Sequence, residues 1–579
     1  MKLLTTTGTF REQFQDRYPV YRHAISRLIT FIADFADARG WAVFGVISLW
    51  CGWIRLSGEL YRRLGHDELY TFYISQAASL TQLLALTRTV DLHPPLSYLF
   101  VRLSFAVFGV SAWSCRLPFA VAFVLTSVFI FWLLKRMLSP LYGLIAVLFL
   151  WSFPYSYSAS IARPYSLLLC FTSMMLVCWY CATESIGRRY WALLGLSIGG
   201  FGLLLSHVLG VLPFAAVVGA ELLRFRIARK PDWHLWLALL APLVSLLTYL
   251  PLLKTHSALL FTPIYRVTPT RLLSCYWEPL RFVNSPLLFI MVLAIARLFG
   301  RWGGNSNSRW SVPNRNLPLG FLLSVLFLSP LLTAIVFART GTAFFERYGV
   351  VMLIPAAIAP AMVLAFGTRC RRSYAASMVL LLAALIHVNS SGMAWLLQQA
   401  SSIARPAIAA RLLYLVAMPP IPYVPKLAIV PAYLEHEKEA APAVSELNAV
   451  ESGLALVAGT GLTFLELDRS ENTELTKRLF LLTNKEAAVT ITHDTLFENY
   501  EQLQAVFPLR GTVEPYCSFL GGHRRFLVLG AYNHPQGWLL HKLDIDGASL
   551  RIIGRYASTL EEHDLYEVSV PLNLCPPPN

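Results

Sequence analysis

The sequence predicts an all-α polytopic membrane protein of about 11–13 transmembrane helices with a small C-terminal α/β domain outside the bilayer. Three observations predict it. Of the 579 residues, 56% are apolar and only 14% charged, whereas an ordinary soluble domain is about 25% charged. The charge is also divided by position: residues 1–425 hold 36 Lys and Arg against 13 Asp and Glu, and residues 426–579 hold 12 against 20. Between residues 110 and 425 only five carboxylates occur, Glu184, Glu221, Asp232, Glu278 and Glu346. So few acids cannot clothe a soluble surface. This pattern excludes a soluble protein, a disordered chain and a nucleic-acid binder, despite the formal charge of +15.

A bilayer crossing needs about 17–25 apolar residues. Eleven segments approach this: 41–58, 117–134, 141–158, 164–182, 190–206, 208–223, 234–252, 285–300, 319–338, 348–366 and 374–390. Basic clusters lie between them, at Lys135/Arg136, Arg188/Arg189, Arg224 to Lys230, Arg297 to Arg315 and Arg369 to Arg372. Placed in the cytoplasm, as the positive-inside rule asks, they put the N-terminus inside. The loops 59–116, 159–163, 253–284 and 339–347, the surroundings of His207 and everything after 390 then fall outside. The parity requires that 95–111, short and interrupted by Arg102, not cross fully and lie as a helix at the outer interface; a full crossing with one basic cluster outside is the competing model. Residues 1–40 are long, charged and amphipathic, unlike a cleavable signal peptide.

The tail divides into a linker at 401–450, rich in Pro and Ala with an interfacial helix near 405–417, and a domain at 451–579. Strand-like runs are Leu454–Val457, Ala488–Ile491, Phe526–Leu529, Ser549–Ile553 and Leu565–Val570, with a helix at Leu462–Leu467.

Within residues 41–400, the first outer loop keeps the carboxylates Glu59, Asp67, Glu68 and Asp91, with His66 and His93 beside them. Asp67-Glu68 precedes a stretch whose Leu69, Phe72, Tyr73, Leu80, Leu83 and Leu84 share one helical face. Asp67 therefore caps the free amides of a helix N-terminus and Glu68 favours the positive end of its dipole, a placement that also fixes a carboxylate for chemistry. Arg116, Arg163 and Arg347 stand at outer helix ends, against the charge trend. A planar guanidinium suits phosphate, and three together on the acidic side favour a bound anion over snorkelling to headgroups.

At these residues the chain resembles the lipid-linked sugar transferases of the GT-C fold, bacterial relatives of the protein O-mannosyltransferases and of the lipid A aminoarabinose transferase (glycosyltransferase family 39-like). The matching residues are His66-Asp67-Glu68, Asp91-Leu92-His93-Pro94-Pro95-Leu96, Arg116-Leu117-Pro118, Ala162-Arg163-Pro164-Tyr165, Ser206-His207 and Glu346-Arg347-Tyr348, with His523 to Val528 and Gly537 to Leu540 in the tail. The resemblance implies a membrane enzyme that moves a sugar from a polyprenyl-phosphate donor to an acceptor hydroxyl on the extracytoplasmic face, with inversion. It implies Asp67 as base, Glu68 beside it, and Arg116, Arg163 and Arg347 at the phosphate. Asp91 and His93 would shape the donor site, with weaker substrate contacts from His207, Tyr165 and Tyr348. Where the aminoarabinose enzymes carry Lys-Pro-Pro this chain has His93-Pro94-Pro95, so the phosphate role of that lysine does not transfer. The implied partners are the donor, a lipid, glycan or protein acceptor, and membrane lipids, with no nucleic acid. The implied location is the bacterial inner membrane. A monophosphate needs no metal bridge, so no cofactor is required and a divalent cation would be non-essential.

Other signals read as structural. Cys178 and Cys181 form a CxxC inside an apolar helix without a second pair, which does not support zinc. The remaining cysteines give no disulfide framework. Asp544-Ile545-Asp546-Gly547 is a turn ahead of a strand rather than a metal-binding DxD, and Gly459-Thr460-Gly461 lacks the rest of a dinucleotide site. Two other function classes compete. A transporter or flippase places its ionisable groups near the midplane, often in repeated halves, and a non-catalytic scaffold predicts first-loop acids that do not meet the arginines.

Overall fold

The structure, a computed structural model, describes residues 27–61, 64–91, 93–153, 161–184, 188–250, 252, 266–280, 317–340, 344–367, 372–390, 453–469, 473–492, 504, 509–534, 537–557, 562–571 and 574–575. Ten of the eleven expected segments are helical among these residues, and 285–300 lies outside them. Among the described residues five helices are long and apolar enough to span: Ala112–Met137, Tyr165–Glu184, Arg189–Ser206, Val208–Ala228 and Glu346–Phe366. The pair Leu317–Phe327 and Ser329–Thr340 would be a sixth, bent by 50°. Pro330 sits just after the break, where its missing N–H removes a helical hydrogen bond. Shorter apolar helices include Gly40–Trp53, Pro140–Ser152, Trp233–Thr248 and Arg372–Ala384.

Packing in this half depends on small residues, because lipid supplies little hydrophobic drive between helices. The helices Tyr165–Glu184 and Arg189–Ser206 approach closely through Gly199 and Gly202. A Cβ at Gly202 would sit 2.3 Å from the Phe171 ring, and one at Gly199 would sit 2.9 Å from Met175. On the side assigned to the cytoplasm, the buried carboxylate of Glu221 accepts from Trp179 Nε1 at 3.1 Å and from Arg224 at 2.6 and 2.7 Å. Arg224 and Arg189 also face Asp232. These acids pair with the basic clusters and need no functional explanation.

The first outer loop folds into short helices, His66–Ile74 and Leu80–Thr89, followed by Leu96–Phe108. The last has 13 residues and is about 20 Å long, short of the ~30 Å hydrocarbon core. Pro140–Ser152, an expected crossing, is equally short, so length does not decide the role of Leu96–Phe108; Arg102 in its middle donates to the carbonyl of Ala77.

The tail is an α/β unit with a six-stranded sheet. Its strands are β1 (Leu456–Ala458), β2 (Leu479–Thr483), β3 (Thr512–Pro515), β4 (Arg525–Gly530), β5 (Ser549–Ala557) and β6 (Glu562–Ser569), in the order β3-β2-β1-β4-β6-β5. The first four in that order are parallel, with Leu456 beside Leu479 and Leu527; β6 pairs antiparallel with both β4 and β5. One expected strand is wrong. Ala488–Ile491 lies within a helix, Lys485–Thr492. Asn484 accepts the N–H of Ala487 at 2.9 Å, an N-terminal cap that outweighs a short apolar run. The runs that form β2 and β3 were not foreseen. Asp544 to Gly547 is the expected turn: the helix Trp538–Ile545 ends there, and Gly547 takes φ +78°. Cys517 and Cys575 form a disulfide, a pairing the sequence did not reveal. The linker at 401–450 lies outside the described residues.

Candidate active site

The His66–Ile74 helix begins at Gly65, and its second and third residues are the acidic pair. Successive helical side chains are rotated by about 100°, so the two carboxylates leave the helix in different directions. Glu68 turns inward. It caps the helix by accepting the Gly65 N–H at 2.8 Å and also accepts the Ala162 N–H at 2.7 Å. Arg116 approaches it as a fork, Nε to Oε1 at 2.7 Å and Nη2 to Oε2 at 2.6 Å. Both residues are buried, at 3% and 1% exposure. The cap is therefore made by Glu68, whereas the sequence reading had given it to the aspartate.

Asp67 takes the other direction, and its Oδ2 lies 2.8 Å from Arg347 Nη2, with both side chains about one-third exposed. The Asp67 carbonyl accepts from Arg163 Nη1 at 3.2 Å. Arg163 also forks onto Asp91, Nη2 to Oδ1 at 3.1 Å and Nη1 to Oδ2 at 2.5 Å. Burial opposes the charge on Arg163, but Asp91, Asp67 and Tyr98 hold its guanidinium well above its ordinary pKa. Tyr98 Oη donates to Asp91 at 2.6 Å. Each outward arginine thus has its own first-loop acid.

The sequence reading put Arg116 at the phosphate. Here its guanidinium is buried and forked onto Glu68, which gives it a structural occupation. The Arg347 guanidinium is only partly buried, and it is stacked 4.5 Å from the Phe345 ring centroid.

His207 lies between two apolar helices and stands beside these pairs. Its ring centroid is 4.9 Å from that of His93, 5.6 Å from Tyr165 and 6.3 Å from Tyr348. Burial pushes the His207 pKa well down, and His93, Arg163 and Arg347 add to the effect. Burial lowers that of His93 too, against an opposing pull from Asp91. The neutral His207 ring accepts the Leu209 N–H on Nδ1 at 3.0 Å, so its hydrogen sits on Nε2. That Nε2, and the Nε atoms of Arg163 and Arg347, are buried without a hydrogen-bond partner among the described residues.

All ten residues singled out by sequence therefore converge: Asp67, Glu68, Asp91, His93, Arg116, Arg163, Tyr165, His207, Arg347 and Tyr348. A scaffold reading does not predict this. Two supporting residues were missed. Tyr98 holds Asp91, and Tyr249 donates to the carbonyls of Leu204 and His207 at 2.6 and 3.1 Å. Both lie in apolar runs, where a tyrosine carries no signal of its partner. Among the described residues no group of three or more His, Cys, Asp or Glu is arranged to hold a metal ion.

This is a membrane bundle whose loop between Gly40–Tyr61 and Ala112–Met137 gathers acids and arginines beside a small α/β domain. The chain has the GT-C fold and is similar to the glycosyltransferases of family 39. The sequence profile of the dolichyl-phosphate-mannose-protein mannosyltransferase family matches residues 92–253. The crystal structure of ArnT from Cupriavidus metallidurans bound to undecaprenyl phosphate aligns with TM-score 0.51 and 15% identity, over 93% of this chain and 100% of that one. The apo form of the same protein aligns with TM-score 0.50 and 14% identity, over 92% and 98%. A search of curated proteins by sequence finds no match.

Proposed function

We propose that the protein is an inverting glycosyltransferase of the bacterial inner membrane, moving a sugar from a polyprenyl-phosphate donor to an acceptor hydroxyl on the extracytoplasmic face. One observation carries the reading: among the described residues Arg163, Arg347 and His207 each keep a buried N–H donor without a protein acceptor, and they belong to the same cluster as the one-third-exposed carboxylate of Asp67. Donors left unpaired in a buried site are costly. An oxygen-rich anion such as a phosphate monoester satisfies them.

In the reaction the bond between the anomeric carbon and the phosphate oxygen breaks, and the phosphate keeps the electron pair. The acceptor oxygen forms the new bond from the opposite face while Asp67 takes its proton. Arg347 and Arg163 stabilise the charge left on the phosphate. Arg347 has a second task, since it holds Asp67 in an ion pair. A phosphate that draws Arg347 away leaves the carboxylate more basic, so donor binding prepares the base. His93, Tyr165, His207 and Tyr348 form the aromatic wall against which the sugar lies. Glu68 and Arg116 position the helix and do not touch substrate. In this reading no metal is required, and a divalent cation would be non-essential.

The C-terminal domain lies outside the membrane in this reading, in keeping with its disulfide, since such bonds persist in oxidising compartments. The N-terminus is cytoplasmic. The acceptor is a lipid, a glycan or a protein. A transporter would instead place its ionisable groups near the midplane, whereas in this reading the paired acids and arginines stand at the outer rim.

The test uses membranes bearing the protein or its Asp67→Asn variant, with labelled undecaprenyl-phosphate mannose and undecaprenyl-phosphate aminoarabinose as donor probes. Turnover should fall by about 10²–10⁴-fold in the variant. Equal turnover at equal protein level would remove Asp67 from its role.

A further inference from the structure

The helix that carries Asp67 at one end is held at the other by the C-terminal domain. Tyr73 Oη donates to Asp468 Oδ2 at 2.8 Å. Asp468 ends the Gly461–Asp468 helix and is 4% exposed; its other oxygen accepts the backbone N–H groups of Arg510 at 2.7 Å and Gly511 at 2.9 Å. The next residue, Arg469, lays its guanidinium 4.2 Å from the Phe72 ring centroid. Phe72 in turn meets Phe105 edge-on at 5.5 Å. Leu69, Phe72 and Tyr98 of the loop share one apolar core with Phe464, Leu465 and Leu467 of the domain.

A nine-residue helix has little stability of its own, so tertiary contacts set its direction. Glu68 and Arg116 anchor its first turn, and Tyr73 and Phe72 anchor its last. Burial raises the Tyr73 pKa and Asp468 raises it further, so the phenol keeps its proton and donates to a charged acceptor, the stronger kind of hydrogen bond.

We propose that Tyr73, Asp468 and Arg469 are positioning residues through which the C-terminal domain sets the pitch of the first-loop helix and thereby the place of the Asp67 carboxylate. The catalytic part rests on the reading of Asp67 as base. The clamp itself does not. A misplacement of about 1 Å at a reacting group costs on the order of a hundredfold in rate, so a small loosening at Tyr73 is legible in turnover.

The experiment uses the full chain in detergent, with Tyr73→Phe, Asp468→Asn and Asp67→Asn variants. Tyr73→Phe removes one hydroxyl. Asp468→Asn keeps both backbone acceptor bonds on Oδ1 and can donate from Nδ2 to the phenol oxygen, so it is the conservative rescue. Hydrogen–deuterium exchange should rise by about tenfold across 66–74 in Tyr73→Phe, leave β1 and β4 unchanged, and stay near the parent level in Asp468→Asn. With whichever undecaprenyl-phosphate sugar probe turns over, kcat should fall by about tenfold in Tyr73→Phe, with the donor KM within about twofold of the parent. Unchanged exchange over 66–74 in Tyr73→Phe overturns the clamp. Raised exchange with unchanged kcat, while Asp67→Asn is inactive, overturns its catalytic part. An active Asp67→Asn removes the base instead, and the exchange result still decides the clamp.

Discussion

Asp67 and Glu68 are neighbours in sequence, and each pairs with an arginine, yet the two pairs are different devices. Glu68 and Arg116 are buried, and the carboxylate takes four hydrogen bonds, from Gly65, Ala162 and twice from Arg116. Two carboxylate oxygens offer about four acceptor sites, so nothing remains for a ligand. Asp67 and Arg347 are about one-third exposed, and Arg347 keeps an Nε without a partner among the described residues. One pair is saturated and holds the fold; the other, in the proposed reading, exchanges for a substrate. Residue type does not separate them. A helical step of about 100° does.

The comparison breaks most readily at the buried pair. Glu68→Gln removes the negative charge that compensates a buried guanidinium, and breaking such a pair from one side costs about 3–5 kcal/mol. The expected outcome is a large loss of folded protein, read as the yield of monodisperse protein after extraction and its thermal midpoint. A well-folded, fully active Glu68→Gln protein would mean the pair is not structural. Next in size comes Arg347→Ala. An exposed ion pair contributes about 0–1 kcal/mol to stability, so the midpoint should barely move. Loss of a group that stabilises transition-state charge costs about 10²–10³-fold in turnover. Equal effects of these two substitutions on folding would erase the distinction.

Much of this was legible in the sequence because membrane insertion writes its requirements locally. Apolar length, basic loops and scarce acids gave the bundle, and acids at an outer boundary gave the loop. The pairing was not legible. Three arginines facing outward suggested one anion site for all three, but Arg116 and Arg163 each found an acid of the first loop far away in sequence. Which acid meets which arginine depends on how the loop helices turn, and that depends on Gly65 as cap and on the domain contact at Tyr73. The same limit explains the tail. The run Ala488–Ile491 looks extended until Asn484 is recognised as a cap, and β3, four residues with no buried face, carries no apolar pattern at all.

The smallest effect separates the charged part of the site from its neutral wall. His207 is buried, and its pKa lies well below the ordinary 6.5. Above pH 6.5 it is neutral in both folded and unfolded chains and contributes no pH dependence. As the pH falls below 6.5 the unfolded chain binds a proton there and the folded chain does not, so stability is lost with falling pH until the folded value is reached. For one site the slope is at most about 1.4 kcal/mol per pH unit. Between pH 7.5 and 5.5 the thermal midpoint of the parent should therefore fall, and that of His207→Gln, which has nothing to protonate at this position, should fall less. Arg163 and Arg347 do not titrate in this range, so turnover of the parent should show no acid limb from the arginines. A parent midpoint no more acid-sensitive than the variant's would mean that His207 protonates in place, and the imidazole would then belong with the charged groups at the rim.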